Sequence, residues 1–80
     1  MRVFLTGISG YLGSVLAECF SHAPEIDGIT GIDVIPPKNS LPEKVKFVQM
    51  DVRSPEVMKA VAGHDVVVHT AFVVLWPAKM

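Results

Sequence analysis

Three glycines set three residues apart, in FLTGISGYLGSVLAE at residues 4–18, separate a short apolar run from an apolar pattern of helical spacing. A chain that leaves a strand and enters a helix within a few residues passes through backbone angles that a β-carbon obstructs, and Gly7 sits where that reversal is needed. Gly13 falls inside the helical pattern, where a missing side chain lets the helix press against the preceding strand. Gly10, between them, leaves room for a ligand to approach the backbone. Amides at the head of a helix, with the helix dipole behind them, favour a negative group there. One ligand accounts for all three positions, a dinucleotide diphosphate. Turns and helix ends also collect glycine for structural reasons alone, so the surrounding sequence has to decide.

The surroundings alternate between strand and helix. Arg2 to Thr6 reads as a buried strand that stops at Gly7. From Tyr11 the residues Leu12, Val15, Leu16, Cys19 and Phe20 follow helical spacing and form the expected inward face, with Cys19 turned into the core, until SHAP ends the pattern. Ile29 to Val34 gives a second strand. PPKNSLPE, with its three prolines, is a loop, so no helix links strands two and three. Val45 to Met50 alternates as a third strand near a sheet edge. Ser54 as N-cap, Pro55 at the first helical position and Gly63 as C-cap predict a helix over Pro55 to Ala62. Asp65 to His69 is a continuous apolar strand of the kind buried on both faces of a parallel sheet.

Right-handed crossovers turn this order into an α/β fold with a parallel sheet of about four strands, ordered 3-2-1-4, and a helix on each face. That is a partial Rossmann fold. Its length of 80 residues allows one small domain of marginal stability, and the 50% apolar content supplies a packed interior. A formal net charge of −1 with no basic cluster gives nucleic acid nothing to bind. No apolar run reaches the ~20 residues of a membrane span, and MRVFLTG is no export signal. The single cysteine excludes an internal disulfide framework, so the expected location is cytoplasmic. His22 and His64 lie in loops without metal-ligand or catalytic spacing.

Asp33 lies twenty residues after Gly13, at the tip of the second strand. A carboxylate there accepts hydrogen bonds from both hydroxyls of an adenosine ribose and repels a 2′-phosphate, which points to NAD over NADP. Lys38 in the same loop is a candidate for holding a phosphate. The alternative for Asp33 is a solvated loop acid.

With TGISGYLG at residues 6–13, the chain resembles the extended short-chain dehydrogenases and reductases, also called NAD-dependent epimerases and dehydratases, which open with T-G-x-x-G-[FY]-[IL]-G. The resemblance implies that Gly7, Gly10, Tyr11, Leu12 and Gly13 hold the cofactor diphosphate, and that Asp33 and Val34 hold the ribose. It further implies that Asp51 and Val52, in DVR, flank the adenine, whereas the residues alone favour Asp51 as a mere neighbour of a helix start. HTAF at residues 69–72 resembles the family's H-x-A-A, which places Thr70 and Ala71 near the ribose and nicotinamide, with Phe72 a departure. His69 matches as a structural residue rather than a base.

Family members act on a substrate carbon through a Ser or Thr and a Tyr-x-x-x-Lys pair. Here Tyr11 is the only tyrosine, and Val15 stands four residues on, so the chain is expected to be inactive alone. Phe72 to Trp76 leaves five consecutive apolar residues uncovered, and the fourth strand lacks an outer neighbour. Both features predict self-association and an N-terminal piece of a longer enzyme. The expected function is the NAD-binding portion of an epimerase, dehydratase or oxidoreductase for a hydroxy or keto substrate such as a nucleotide sugar or sterol. The alternatives are a non-catalytic NAD(P) sensor of the same fold and, from the glycine turn alone, an S-adenosylmethionine methyltransferase.

Overall fold

The computed structural model describes residues 1–70. Its elements are β1 (Arg2–Thr6), α1 (Tyr11–Ser21), β2 (Gly28–Asp33), β3 (Val45–Gln49), α2 (Val57–Val61) and β4 (Val66–His69). The strands form one parallel sheet in the order β3-β2-β1-β4. This is the expected 3-2-1-4 topology, with β3 at one edge and no helix between β2 and β3.

The register explains how so short a chain makes a core. Val3 pairs with Ile29 and Leu5 with Gly31 across β1 and β2, and the row continues to Val45 and Phe47 of β3. These side chains share the sheet face that receives Ile8, Ala17 and Phe20. Phe4 and Thr6, one residue out of phase, point to the opposite face. Phe4 is fully buried and meets the ring of His64 edge-on, with centroids 5.3 Å apart. Burying such a side chain stabilises the fold by about 2 kcal/mol. Because the Val61 carbonyl can only accept, His64 donates to it from Nδ1, while Nε2 shares a 2.8 Å hydrogen bond with the Thr30 hydroxyl. The loop histidine is thus a lid on the second face, which its sequence position did not reveal.

Four expectations are corrected. In α1 the buried residues are Gly13 and Ala17, while Leu12, Val15 and Cys19 are exposed. Helical spacing offered several stripes, and the close seat of Gly13 on the glycine turn chose the one that faces the sheet. The second helix is only Val57–Val61, not Pro55 to Ala62; Ser54 accepts the Glu56 amide at 3.1 Å, but within a turn that precedes the helix. None of its residues is buried, so no packing extends a helix of this length beyond what propensity sustains. Gly63 does take the expected left-handed conformation, φ 83°. Finally, Val66 and Val67 of β4 are 38% and 50% exposed rather than buried on both faces, since β4 is an outer strand among the described residues. Strand ends also shift by one residue, β2 running from Gly28 to Asp33 and β4 starting at Val66.

A β-carbon at Gly31 would lie 2.1 Å from Ile8 Cδ1 and 2.9 Å from Ile8 Cβ. Gly31→Ala is therefore expected to destabilise the chain by roughly 1–3 kcal/mol. Chemical denaturation of the Gly31→Ala and Ile8→Ala single variants and of the double variant checks this. The double variant should be more stable than the two single losses added together, whereas simple additivity would show that the two positions do not collide.

Candidate functional site

The carboxyl ends of all four strands meet on one edge, and chain order reverses there between β1 and β4. Ligands of open α/β sheets bind at such a reversal. The turn from β1 into α1 is held from below: Gly7 and Ile8 both donate their amides to the Ile32 carbonyl, at 2.9 and 3.2 Å, and Gly10 donates to the Gly7 carbonyl at 3.1 Å.

The three glycines have three different reasons. Gly7 has φ 74°, which a side chain strains. A β-carbon on Gly13 would lie 2.0 Å from the Gly7 carbonyl oxygen and 2.9 Å from Ile8 Cα, so the helix stands on the turn rather than on the strand itself. Gly10 has extended angles, φ −81° and ψ 171°, and a β-carbon there meets nothing nearer than 3.5 Å. Nothing in the described protein requires glycine at position 10.

Gly10 is also the residue that caps α1, and it carries no side chain to satisfy the leading amides of Tyr11, Leu12 and Gly13. No acidic residue lies in the first turn. Tyr11 and Leu12 are exposed beside it. A groove of about 500 Å³ opens between this turn and the loop after β2, lined among others by Ser9, Gly10, Ser14, Lys38 and Asn39.

Asp33 ends β2 and is tied to the glycine turn: Oδ2 accepts the Ser9 amide at 3.0 Å, and Oδ1 accepts the Val34 amide at 2.7 Å. The Ser9 hydroxyl donates to the Ile35 carbonyl at 2.7 Å. Sequence reasoning missed Ser9, because half of its contribution is a backbone amide that any residue supplies. Val34 is exposed at the rim, and Gln49 Nε2 donates to its carbonyl at 2.9 Å.

Asp51 and Val52 follow β3 on the same edge, where the Met50 amide donates to the Asp33 carbonyl at 2.9 Å. Asp51 is clasped by Arg53, whose amide and Nε donate to Oδ1 at 2.8 and 3.1 Å and whose Nη2 donates to Oδ2 at 2.7 Å. Thr70 donates its hydroxyl to the Thr6 carbonyl at 2.6 Å and its amide to Thr6 Oγ1 at 3.0 Å. In this structure its hydrogen bonds brace the ends of β1 and β4. His69, exposed rather than on a buried strand, shares a 2.8 Å hydrogen bond with Thr6 Oγ1. Ala71 and the apolar segment at 72–76 lie outside the described residues. Among the described residues no group of His, Cys, Asp or Glu is placed to hold a metal, and no helix is long and apolar enough to cross a membrane.

The Arg53 clasp holds the Asp51 carboxyl at about 2, below its ordinary 3.8. A depressed carboxylate stabilises the folded state above its unfolded pKa, and that contribution disappears as pH falls through the folded value. An NMR titration of the Asp51 carboxyl is expected to show a midpoint near 2 that moves back toward 3.8 in Arg53→Ala. Equal midpoints in the two proteins would contradict the clasp.

Residues 3–80 match the model of the NAD dependent epimerase/dehydratase family. The short-chain dehydrogenase/reductase family 42E member 1 of Xenopus laevis is 41% identical over 70 residues, covering 86% of this chain and 18% of that protein. Among solved structures, the chain superposes on the uronate dehydrogenase of Agrobacterium tumefaciens with a TM-score of 0.74 and 30% identity, covering 98% of this chain and 29% of the other. A mutant of that dehydrogenase complexed with NAD gives a TM-score of 0.72 at 31% identity, over the same 98% and 29%. The chain thus spans less than a third of the length of these relatives. With its family model matched from Val3 to the last residue, its sheet order and its glycine turn, the chain belongs to the NAD-dependent epimerase/dehydratase family.

Proposed function

We propose that the chain is the NAD-binding, N-terminal part of a Rossmann domain from an oxidoreductase, epimerase or dehydratase that acts on a hydroxy or keto substrate such as a nucleotide sugar or sterol. Gly10 carries this reading. It is the one glycine of the turn without a conformational or steric reason in the described protein, and it caps a helix whose leading amides have no side-chain acceptor among the described residues. A diphosphate against those amides supplies both the missing acceptor and the reason for the missing side chain. The related dehydrogenase complexed with NAD supports the same choice of ligand.

In this reading Gly7, Gly10, Tyr11, Leu12 and Gly13 present the turn and helix amides to the diphosphate. Asp33 and Val34 take the adenosine ribose, Asp51 and Val52 flank the adenine, and Thr70 with Ala71 bounds the cofactor beyond the diphosphate. The oxygens of Asp33 keep lone pairs for ribose hydroxyls beside the amides they already accept. NAD bound here supplies a hydride acceptor, while the residues that act on the substrate belong to the part of the relatives that this chain does not span.

The test separates stability from binding. Gly10→Val is expected to unfold within a few degrees of the wild type, because its β-carbon has room. In calorimetric titration of the 80-residue chain the same substitution should abolish the binding of NAD that the wild type shows. Gly13→Ala, in contrast, should lower the melting temperature through its collision with the Gly7 carbonyl. A Gly10→Val protein that binds NAD as well as the wild type does would contradict the placement of the diphosphate.

A further inference from the structure

The row of side chains under α1 has a gap at Gly31, which stands in register between Leu5 of β1 and Phe47 of β3. Ile8 fills it: the side chain is fully buried, and its Cδ1, Cβ and Cγ1 lie 2.1, 2.9 and 3.0 Å from the point where a β-carbon on Gly31 would stand. The amide of Ile8 meets the same strand one residue on, donating to the Ile32 carbonyl at 3.2 Å. We infer that Ile8, seated on Gly31, is a positioning residue: it fixes the height of the glycine turn above β2, and so the span between the leading amides of α1 and the carboxylate of Asp33. The inference rests on the reading of this edge as a dinucleotide site, whose ligand joins a diphosphate to a ribose at a set distance.

The two halves of the site move with different parts of the molecule. Asp33 belongs to the sheet: β2 is paired on both sides, with Ile32 opposite Thr6 of β1 and Val48 of β3, and Asp33 opposite Gln49. The leading amides of α1 belong instead to the turn. A β-carbon on Gly13 would lie 2.9 Å from Ile8 Cα, so α1 rests on the residue whose side chain rests on β2. Carbon atoms in contact settle at about 3.5–4.0 Å, and a close-packed interior yields little to compression. A methyl added at Gly31 therefore lifts Ile8, and the head of α1 rises with it while Asp33 stays in place. Ser9, next in the chain, registers the shift, because its amide donates to Asp33 Oδ2 at 3.0 Å across the junction of the two parts.

Gly31→Ala in the 80-residue chain is the test, beside Ile26→Val, which removes a methyl from the same core at the opposite edge of the sheet, ahead of β2. Both variants are expected to melt below the wild type. At a temperature where circular dichroism shows all three proteins folded, Gly31→Ala should bind NAD about tenfold more weakly by calorimetry, the scale of one hydrogen bond to a charged group. Its Ser9 amide should also exchange with solvent faster, and Ile26→Val should match the wild type in both readouts. Unchanged NAD affinity in Gly31→Ala would overturn the inference, and so would an equal loss in Ile26→Val, which would make the loss one of stability and not of position. If the wild type binds no NAD the functional reading fails, yet Ser9 still decides the seat: exchange as slow in Gly31→Ala as in the wild type would overturn it. Should Gly31→Ala not fold, Ile8→Val, which shortens the side chain by one methyl without a collision, should weaken NAD binding and speed Ser9 exchange relative to Ile26→Val, and no difference between those two variants would overturn the inference.

Discussion

The seat of α1 on the Gly7 carbonyl governs the rest of the molecule. Because Gly13 has no side chain, the helix begins directly above the turn that ends β1, within a distance that any β-carbon would violate. That contact fixes the rotation of α1, so that Gly13 and Ala17 face the sheet and Leu12, Val15 and Cys19 face outward. It also aims the start of the helix at the carboxyl edge, where β2 delivers Asp33 and β3 delivers Asp51. The local compactness that permits a core in so few residues is the same geometry that exposes helix amides to a ligand.

The sheet contributes by dividing labour between its faces. Val3 and Leu5 anchor the face under α1, while Phe4 and Thr6 anchor the other, where the His64 ring meets Phe4 edge-on. Phe4, Thr6 and Ile32 are buried on the second face, although α2 buries none of its residues and Val67 of β4 is half exposed. The candidate site residues sit at the carboxyl ends of the strands and on the turn after β1. Placing backbone donors on a rigid turn while leaving the outer strand open suits a cofactor cradle that relatives complete with further chain.

Much of this was legible in the sequence because single residues imposed it. Three prolines barred a helix between β2 and β3, Gly7 demanded a turn, and the apolar runs set the strands to within a residue or so. The strand order followed from handedness alone. What stayed hidden depended on contacts that residue type does not announce. Ser9 acts half through a backbone amide. His64 became a lid only because the chain returns it to Phe4. The second helix shrank because nothing packs on it, although its capping residues are favourable. Cys19 faces outward because Gly13, not the apolar periodicity, sets the helix rotation. At the candidate site, the glycines and Asp33 were visible from their spacing, whereas the Arg53 clasp on Asp51 and the bracing role of Thr70 required the fold.

The central claim is that the carboxyl edge of this sheet, from the glycine turn to the end of β3, is a dinucleotide site. Amide chemical-shift mapping of the labelled 80-residue chain during titration with NAD tests it most directly. The account predicts saturable shifts confined to Gly7–Gly13, Asp33–Ile35 and Asp51–Val52, with the opposite ends of the strands, at Arg2, Gly28 and Val45, unmoved. A folded chain whose amides do not move, or whose shifts gather at that opposite edge, would contradict it.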